Sequence, residues 1–229
     1  MQNPESSNQW LLIANGEFLS DKKLHHFSQN RSVMVLDGAF KRTHQLGIKI
    51  DIVLGDFDSI DSQDEEKIAQ LNIKKVKAFD QNKNDLEKGI LYLRQHFNPK
   101  QIVIACALGK RFQHSFYSLL LLKKFYHREQ SIIIMSNNET IYYLENTCLK
   151  LEGTIKDAVS IFGFPYAKIW TQGLKYEVQE FELHFESSVS SSNELCKKQA
   201  SIQVEGGALI IYENSNQLLE KSQKKCHQK

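Results

Sequence analysis

Two aspartates one residue apart, Asp56 and Asp58, follow an apolar run in the segment Asp51-Ile52-Val53-Leu54-Gly55-Asp56-Phe57-Asp58-Ser59-Ile60. At the end of a buried strand, both carboxylates can project to one side of a loop, where they repel each other unless a cation lies between them. Mg²⁺ suits such a pair, because it prefers carboxylate oxygen and completes its shell with water and phosphate oxygens. Gly55 lets the chain turn without a side chain in the way, and Ser59 can cap a following helix. Taken alone, a DxDS segment is explained equally well by turn and cap residues. Its neighbours tip the balance. Asp85 lies in Asp80-Gln81-Asn82-Lys83-Asn84-Asp85-Leu86-Glu87-Lys88, where another apolar run gives way to a helix-like stretch, with Lys88 one turn further on. Asn84 or Asp85 also fits as the cap of that helix, and capping does not preclude ligation. In Gly109-Lys110-Arg111-Phe112-Gln113-His114, a guanidinium and an imidazole open a further apolar helix, a position suited to binding phosphate oxygens.

The elements that must position these residues alternate. Apolar runs at 10–14, 33–36, 50–54, 73–78, 102–108 and 132–135 read as strands. They stop at Asn15-Gly16, Asp37-Gly38, Gly55-Asp56, Phe79-Asp80-Gln81, Gly109-Lys110-Arg111 and Ser136-Asn137-Asn138. Between several of them apolar residues recur at helical spacing: Leu86, Ile90, Leu93 and Phe97 on one face, Phe116, Leu119, Leu120 and Phe125 on another. Such alternation implies a parallel sheet covered on both sides, with ligands bound beyond the carboxyl ends of its strands. Those ends carry Asn15, Asp37, Asp56, Asp58, Gln81 and Arg111. After about residue 140 the texture changes to short, often alternating runs at 159–162, 168–170, 176–178, 181–185, 200–204 and 208–212, with Gly206-Gly207 as a hairpin signal between the last two. The expected fold is therefore α/β: an N-terminal parallel-sheet α/β domain over 1–140, then a C-terminal antiparallel β-sandwich over 141–229 that ends in a polar tail.

Composition narrows the classes. The 229 residues are 41% hydrophobic and 24% charged with a formal net charge of +2, values of an ordinary globular protein with no demand for nucleic acid or an anionic membrane. There is no basic stripe interleaved with aromatics, so no nucleic-acid partner is expected. The basic stretch 221–229 reads as a solvated end. The polar start, residues 1–9, lacks the features of a signal peptide, and the longest aliphatic run, 119–122, is far too short to span a membrane, so no membrane partner is expected. Cys106, Cys148, Cys196 and Cys226 show no CxxC spacing, which argues against a disulfide framework or a zinc site and for a reducing, cytoplasmic setting. Cys106 and Cys148 fit as small core residues.

With these segments in hand, the chain resembles the thiamine pyrophosphokinase (thiamine diphosphokinase) family over roughly residues 11–212. Ala14-Asn15-Gly16 resembles that family's first glycine turn, Asp37-Gly38-Ala39 its DGG-A segment, and residues 51–60 its central signature, the most specific match. Residues 81–88 resemble QDxTDxxK, and 109–114 resemble GGRxDH. In the second half, Gly173-Leu174-Lys175-Tyr176, Ser192-Asn193-Glu194 and Gly207-Ala208-Leu209-Ile210 resemble the family's GLKY turn, SNE segment and closing strand. Departures are Ala39, Asn82, Asn84, Lys110 and Gln113.

The resemblance implies transfer of a diphosphate from ATP to thiamine with release of AMP. It implies Mg²⁺ on Asp56, Asp58 and Asp85, which would also be the catalytic set. Nucleotide contacts are implied at Asn15, Asp37, Gly38, Lys88, Arg111 and His114, and thiamine contacts at Gln81, Asn84, Ser192 and Asn193. It further implies a homodimer with active sites at the subunit interface. Two rivals remain open from sequence. One is a DxD-type Mg²⁺-dependent phosphatase, although a glycine precedes the first aspartate and no late GDxxxD follows. The other is a nucleotide- or thiamine-binding paralogue without turnover, suggested by Asn82, Asn84 and Gln113.

Overall fold

The computed structural model describes residues 8–78, 80–186 and 189–213. The basic stretch 221–229, Cys226, Phe79 and the start before residue 8 lie outside the described residues. The described residues form two compact units, one drawn from 1–121 and 129–137, the other from 122–128 and 138–229.

The first unit is built on a parallel sheet of β1 (Gln9–Ile13), β2 (Ser32–Leu36), β3 (Ile52–Gly55), β4 (Lys74–Lys77), β5 (Gln101–Ala105) and β6 (Ser131–Met135). Every sequence-read strand of this half is present. The spatial order is β6-β5-β1-β2-β3-β4 with parallel pairing throughout. Successive strands from β1 to β4 step one way, whereas β5 and β6 lie on the other side of β1. The topological switch point therefore falls between β1 and β5. The inner strands are near-continuous aliphatic runs, as burial on both faces requires, and β2 is buried at every position. The edge strand β4 carries Lys74, Lys75 and Lys77, a charged edge that discourages pairing with another chain.

Helices α1 (Asp21–Ser28), α2 (Phe40–Gln45), α3 (Ser62–Gln70), α4 (Asp85–Phe97) and α5 (Phe112–Lys124) connect the strands. In α4 the Asn84 side chain caps the first turn, accepting from Glu87 N at 2.8 Å, and Asn98 ends the helix in the left-handed region. Leu86, Ile90 and Leu93 are buried as their spacing predicts, and Phe97 packs on the Trp10 ring at 4.5 Å. In α5 the buried face differs from the sequence expectation. Phe125, just past the helix, is buried as expected, but within α5 it is Ser118, Leu121 and Leu122 that are buried, while Phe116 is exposed and stacks on exposed Phe112. A run of four leucines satisfies several helical faces, so periodicity alone does not choose among them.

The second unit is antiparallel: β7 (Glu139–Glu152), β8 (Ala158–Gln172), β9 (Phe181–His184), β10 (Val189–Glu194) and β11 (Gln199–Glu213), ordered β10-β8-β11-β7 with β9 on β8. Three sequence expectations need correction here. Residues 176–178 form no strand and belong to the connection between β8 and β9. Residues 159–162 and 168–170 belong to the single long strand β8, and Gly206-Gly207 is not a hairpin but a bulge inside β11. The register of β11 shifts there against both β7 and β8. Gly206 has φ +80, and a β-carbon on it would lie 2.7 Å from Tyr166 O. A glycine pair that reads as a turn thus also serves a bend where backbones approach closely. Cys148 is half-exposed on the solvent side of β7, not a core residue, whereas Cys106 is buried.

Candidate active site

The polar residues picked out from sequence collect at the carboxyl edge of the parallel sheet, one group past each strand end. Their centre is Asp37, at the head of the short 3-10 turn Asp37–Ala39 after β2. It is only 6% exposed, and both carboxylate oxygens accept backbone bonds: Oδ1 from Gly38 N at 2.6 Å, Oδ2 from Phe57 N at 3.0 Å. Burial nevertheless pushes this carboxyl above its ordinary value, the two amides oppose that shift, and the charges of Asp85 and Asp56 add to it. Gly55 makes the arrangement possible, because any β-carbon there would overlap the Asp37 carboxylate. Asp37 in turn holds the Asp56-Phe57-Asp58 loop: Phe57 sits at φ +70, its amide aimed at Asp37 and its ring under Lys75 Nζ at 4.7 Å. A non-glycine residue in this region is held against its own preference, a feature that concentrates at functional loops.

Asp56 is exposed and accepts from Asp58 N at 3.1 Å, so the loop closes on itself; Asp58 is also exposed. Asp85, on the first turn of α4, pairs with Lys88 at 3.0 Å, and Lys88 Nζ also donates to Ala78 O at 3.5 Å. Gln81 is exposed in the turn that precedes α4, where Asp80 accepts from Asn82 N and pairs with Lys83. Among the described residues no three acidic, His or Cys side chains are drawn together as a ligand cluster. Of the four acids past these strand ends, only Asp37 is held by the backbone of two loops, and the charges of Asp85 and Asp56 reach it. Hard carboxylate oxygens at one sheet edge are the donor chemistry that a divalent cation such as Mg²⁺ prefers.

On the other side of Asp37, Asn15 follows β1 and Gly38 leaves room for its amide; a β-carbon on Gly38 would lie 2.5 Å from Asn15 Nδ2. The turns after β1 and β5 are tied by Gly16 N to Cys106 O at 2.6 Å and Glu17 N to Leu108 O at 2.7 Å. Arg111 and His114 are exposed at the start of α5. In the orientation that satisfies both side chains, the Gln113 amide oxygen accepts from Arg111 Nε and Nη2 at 3.1 Å each. Gln113 therefore braces the guanidinium on two atoms, a role that sequence reading, which saw only a missing carboxylate, did not find. Lys110 was likewise read only as a departure.

Ser192 and Asn193 lie on β10, in the second unit, at a register shift between Ser190 and Asn193. Ser192 is exposed with φ +59. Asn193 is buried, and its amide spans to the Gly173–Tyr176 turn: Oδ1 accepts from Tyr176 N at 3.1 Å and Glu194 N at 2.9 Å, and Nδ2 donates to Tyr176 O at 2.8 Å. Sequence reading without the family resemblance would have left this stretch as a plain polar loop.

Comparison with known proteins identifies the family. The thiamin pyrophosphokinase catalytic domain matches residues 24–134, and the thiamin pyrophosphokinase vitamin B1 binding domain matches residues 142–209. Thiamine pyrophosphokinase 1 of Arabidopsis thaliana is 29% identical over 186 residues, covering 72% of this chain and 64% of that protein. Thiamin pyrophosphokinase 1 of Caenorhabditis elegans is 25% identical over 175 residues, covering 72% of this chain and 70% of that protein. Among solved structures, the thiamine pyrophosphokinase of Bacillus subtilis superposes with a TM-score of 0.80 at 20% identity, over 90% of this chain and 99% of the other. The thiamin pyrophosphokinase of Candida albicans does so with a TM-score of 0.80 at 15% identity, over 94% and 95%. The fold is thus that of a parallel-sheet α/β domain followed by antiparallel strands. The chain belongs to the thiamine pyrophosphokinase family. Neither the phosphatase nor the turnover-free reading is favoured by these matches. Among the described residues no helix is long and apolar enough to cross a membrane.

Proposed function

We propose that this chain is a thiamine diphosphokinase, moving a diphosphate from ATP to the hydroxyethyl oxygen of thiamine and releasing AMP. The observation that carries the proposal is the sheet edge, where family-signature residues past β2, β3 and β4 set out Asp37, Asp56, Asp58 and Asp85, the last paired with Lys88.

In this reading Asp56, Asp58 and Asp85 hold Mg²⁺, which when bound would neutralise charge on the transferred group. Asp37 is the positioning residue: its carboxylate fixes the Asp56-Phe57-Asp58 loop through Phe57 N. Lys88 and Arg111 bind phosphate oxygens, the second held in plane by Gln113. Asn15, Gly38 and His114 place the nucleotide. Gln81 and Asn84 lie on the thiamine side, although the Asn84 side-chain oxygen Oδ1 is already engaged as a helix cap. Ser192 contacts the thiamine pyrimidine, and Asn193 shapes that surface by fixing the Gly173–Tyr176 turn. These two act across the interface of a homodimer, in a cytoplasmic setting. Residues 1–140 then form the ATP and Mg²⁺ domain and 141–229 the thiamine domain. Phosphoryl chemistry of this type depends on positioning and charge neutralisation more than on a dedicated base.

The test is AMP release from ATP and Mg²⁺ with thiamine, with hydroxymethylpyrimidine and riboflavin as control acceptors. Thiamine-dependent AMP is expected. ADP, inorganic phosphate or equal AMP with the controls would count against the proposal.

A further inference from the structure

Lys110 occupies a backbone position that a lysine does not favour. Its φ is +51, and it follows Gly109 at φ +75 in a turn that begins with Cys106 at φ +58. Glycine takes such a conformation without cost, whereas a β-carbon is strained there. Retaining a long cationic side chain at a strained position is the kind of outlier from which function can be inferred.

What the side chain does is specific. Lys110 Nζ donates to Asn15 O and to Asn15 Oδ1, each at 3.1 Å. Both acceptors are neutral, and among the described residues the ammonium has no ion pair. Glu17, the acid of the neighbouring turn, packs against Gly109 instead. The charge of Lys88, by contrast, is matched by Asp85 at 3.0 Å. An ammonium has three protons, so two bonds to Asn15 leave one for another acceptor. The position is the β1/β5 switch point, where open α/β sheets bind their ligands.

A plain tether between the two turns is the simpler explanation. It is weakened by redundancy, because Gly16 N to Cys106 O and Glu17 N to Leu108 O already join them. A tether also has no need of a net charge. We infer that Lys110 is a phosphate-binding residue, its ammonium steadied by Asn15 so that it meets the anionic oxygens of ATP at the β1/β5 switch point. The inference rests on the ATP-dependent reading given above.

The test is equilibrium titration of the full chain with MgATP, without thiamine, for wild type, Lys110→Gly and Lys110→Gln. Glycine removes both strain and charge; glutamine keeps a donor for Asn15 and removes only the charge. Both variants should bind ATP about tenfold more weakly, the scale of one charge-assisted bond. The thermal midpoint of Lys110→Gly should equal or exceed that of wild type, so weaker binding in that variant is not a loss of folding. Wild-type affinity in Lys110→Gln, or unchanged affinity in Lys110→Gly, overturns the inference, as does a wild type that fails to bind ATP. AMP formation is measured separately. If wild type binds ATP but yields no AMP with thiamine, the diphosphokinase reading fails while the ratio of Kd values still decides the role of Lys110.

Discussion

In the parallel sheet the polar residues of interest stand just past the strand ends, where Asp56, Asp58, Arg111 and His114 are exposed and only Asp37 is buried. In the antiparallel ladder the corresponding residue, Asn193, lies within a strand and commits its amide to three backbone bonds. One region gathers charge and leaves it facing solvent; the other uses a neutral amide to shape a surface. The difference follows from the ladders themselves. Parallel strands all end on one edge, so their loops converge there without polar groups entering the core. Antiparallel strands have no common edge, so a specific feature must come from an irregularity such as the β10 register shift. Substitutions in the first region should therefore cost turnover, and substitutions in the second should cost stability and thiamine affinity.

The largest effect is expected from Asp56→Ala and Asp58→Ala. Each should reduce AMP formation by about 10³-fold or more, the scale of losing a group that holds charge at the reacting phosphate. Circular dichroism and the thermal midpoint should be unchanged, because both side chains are exposed. A fall in midpoint matching the loss of activity would erase the contrast between the regions. Next in size, Arg111→Ala should lower kcat/KM for ATP by about 10²-fold, two charge-assisted bonds' worth, with KM for thiamine within twofold. Asn193→Ala should behave oppositely. It leaves Tyr176 N and O without partners, costing about 1–3 kcal/mol of stability in a denaturant titration, and should raise KM for thiamine but not for ATP.

The smallest effect concerns pH. Burial, with Asp85 and Asp56 close by, holds the Asp37 carboxyl above its ordinary value. Between the unfolded and the raised folded pKa, the native state keeps a proton that the unfolded chain has released. The contribution of this group to stability is thus fully present below the unfolded value and falls as pH rises through the folded one. Asp37→Asn should flatten that part of the stability–pH curve, read as denaturation midpoints across the acid range. Mg²⁺ should raise the wild-type midpoint more at neutral pH than in acid, since protons compete with it for the carboxylates that would hold it.

Much of the first region was legible from sequence because each strand there is a short aliphatic run closed by a polar or glycine residue. That pattern placed Asn15, Asp37, Asp56, Gln81 and Arg111 on one edge before any coordinates. It could not rank them. That Asp37 is the buried one, fixed by two loops, depends on Gly55 making room and on Phe57 adopting φ +70, contacts that no spacing encodes. The long strands β8 and β11 were broken into pieces for a related reason. Gly206-Gly207 is a turn signal locally, and only pairing with β7 and β8 on either side makes it a bulge. The leucine run in α5 hid its inward face because four consecutive leucines point in every direction around the helix. Gln113 and Lys110 looked like losses when judged by residue type, and took on roles only through what their side chains reach.

The central claim is that the edge of the parallel sheet directs a whole diphosphate, not a single phosphate, to thiamine. It is tested most directly with ATP labelled at the β-phosphorus, incubated with the chain, Mg²⁺ and thiamine, and followed by separation of products. The account predicts label in thiamine diphosphate, unlabelled AMP in equal amount, and loss of both in Asp56→Ala. Label left in ADP, with thiamine monophosphate or free phosphate as the other product, would contradict it.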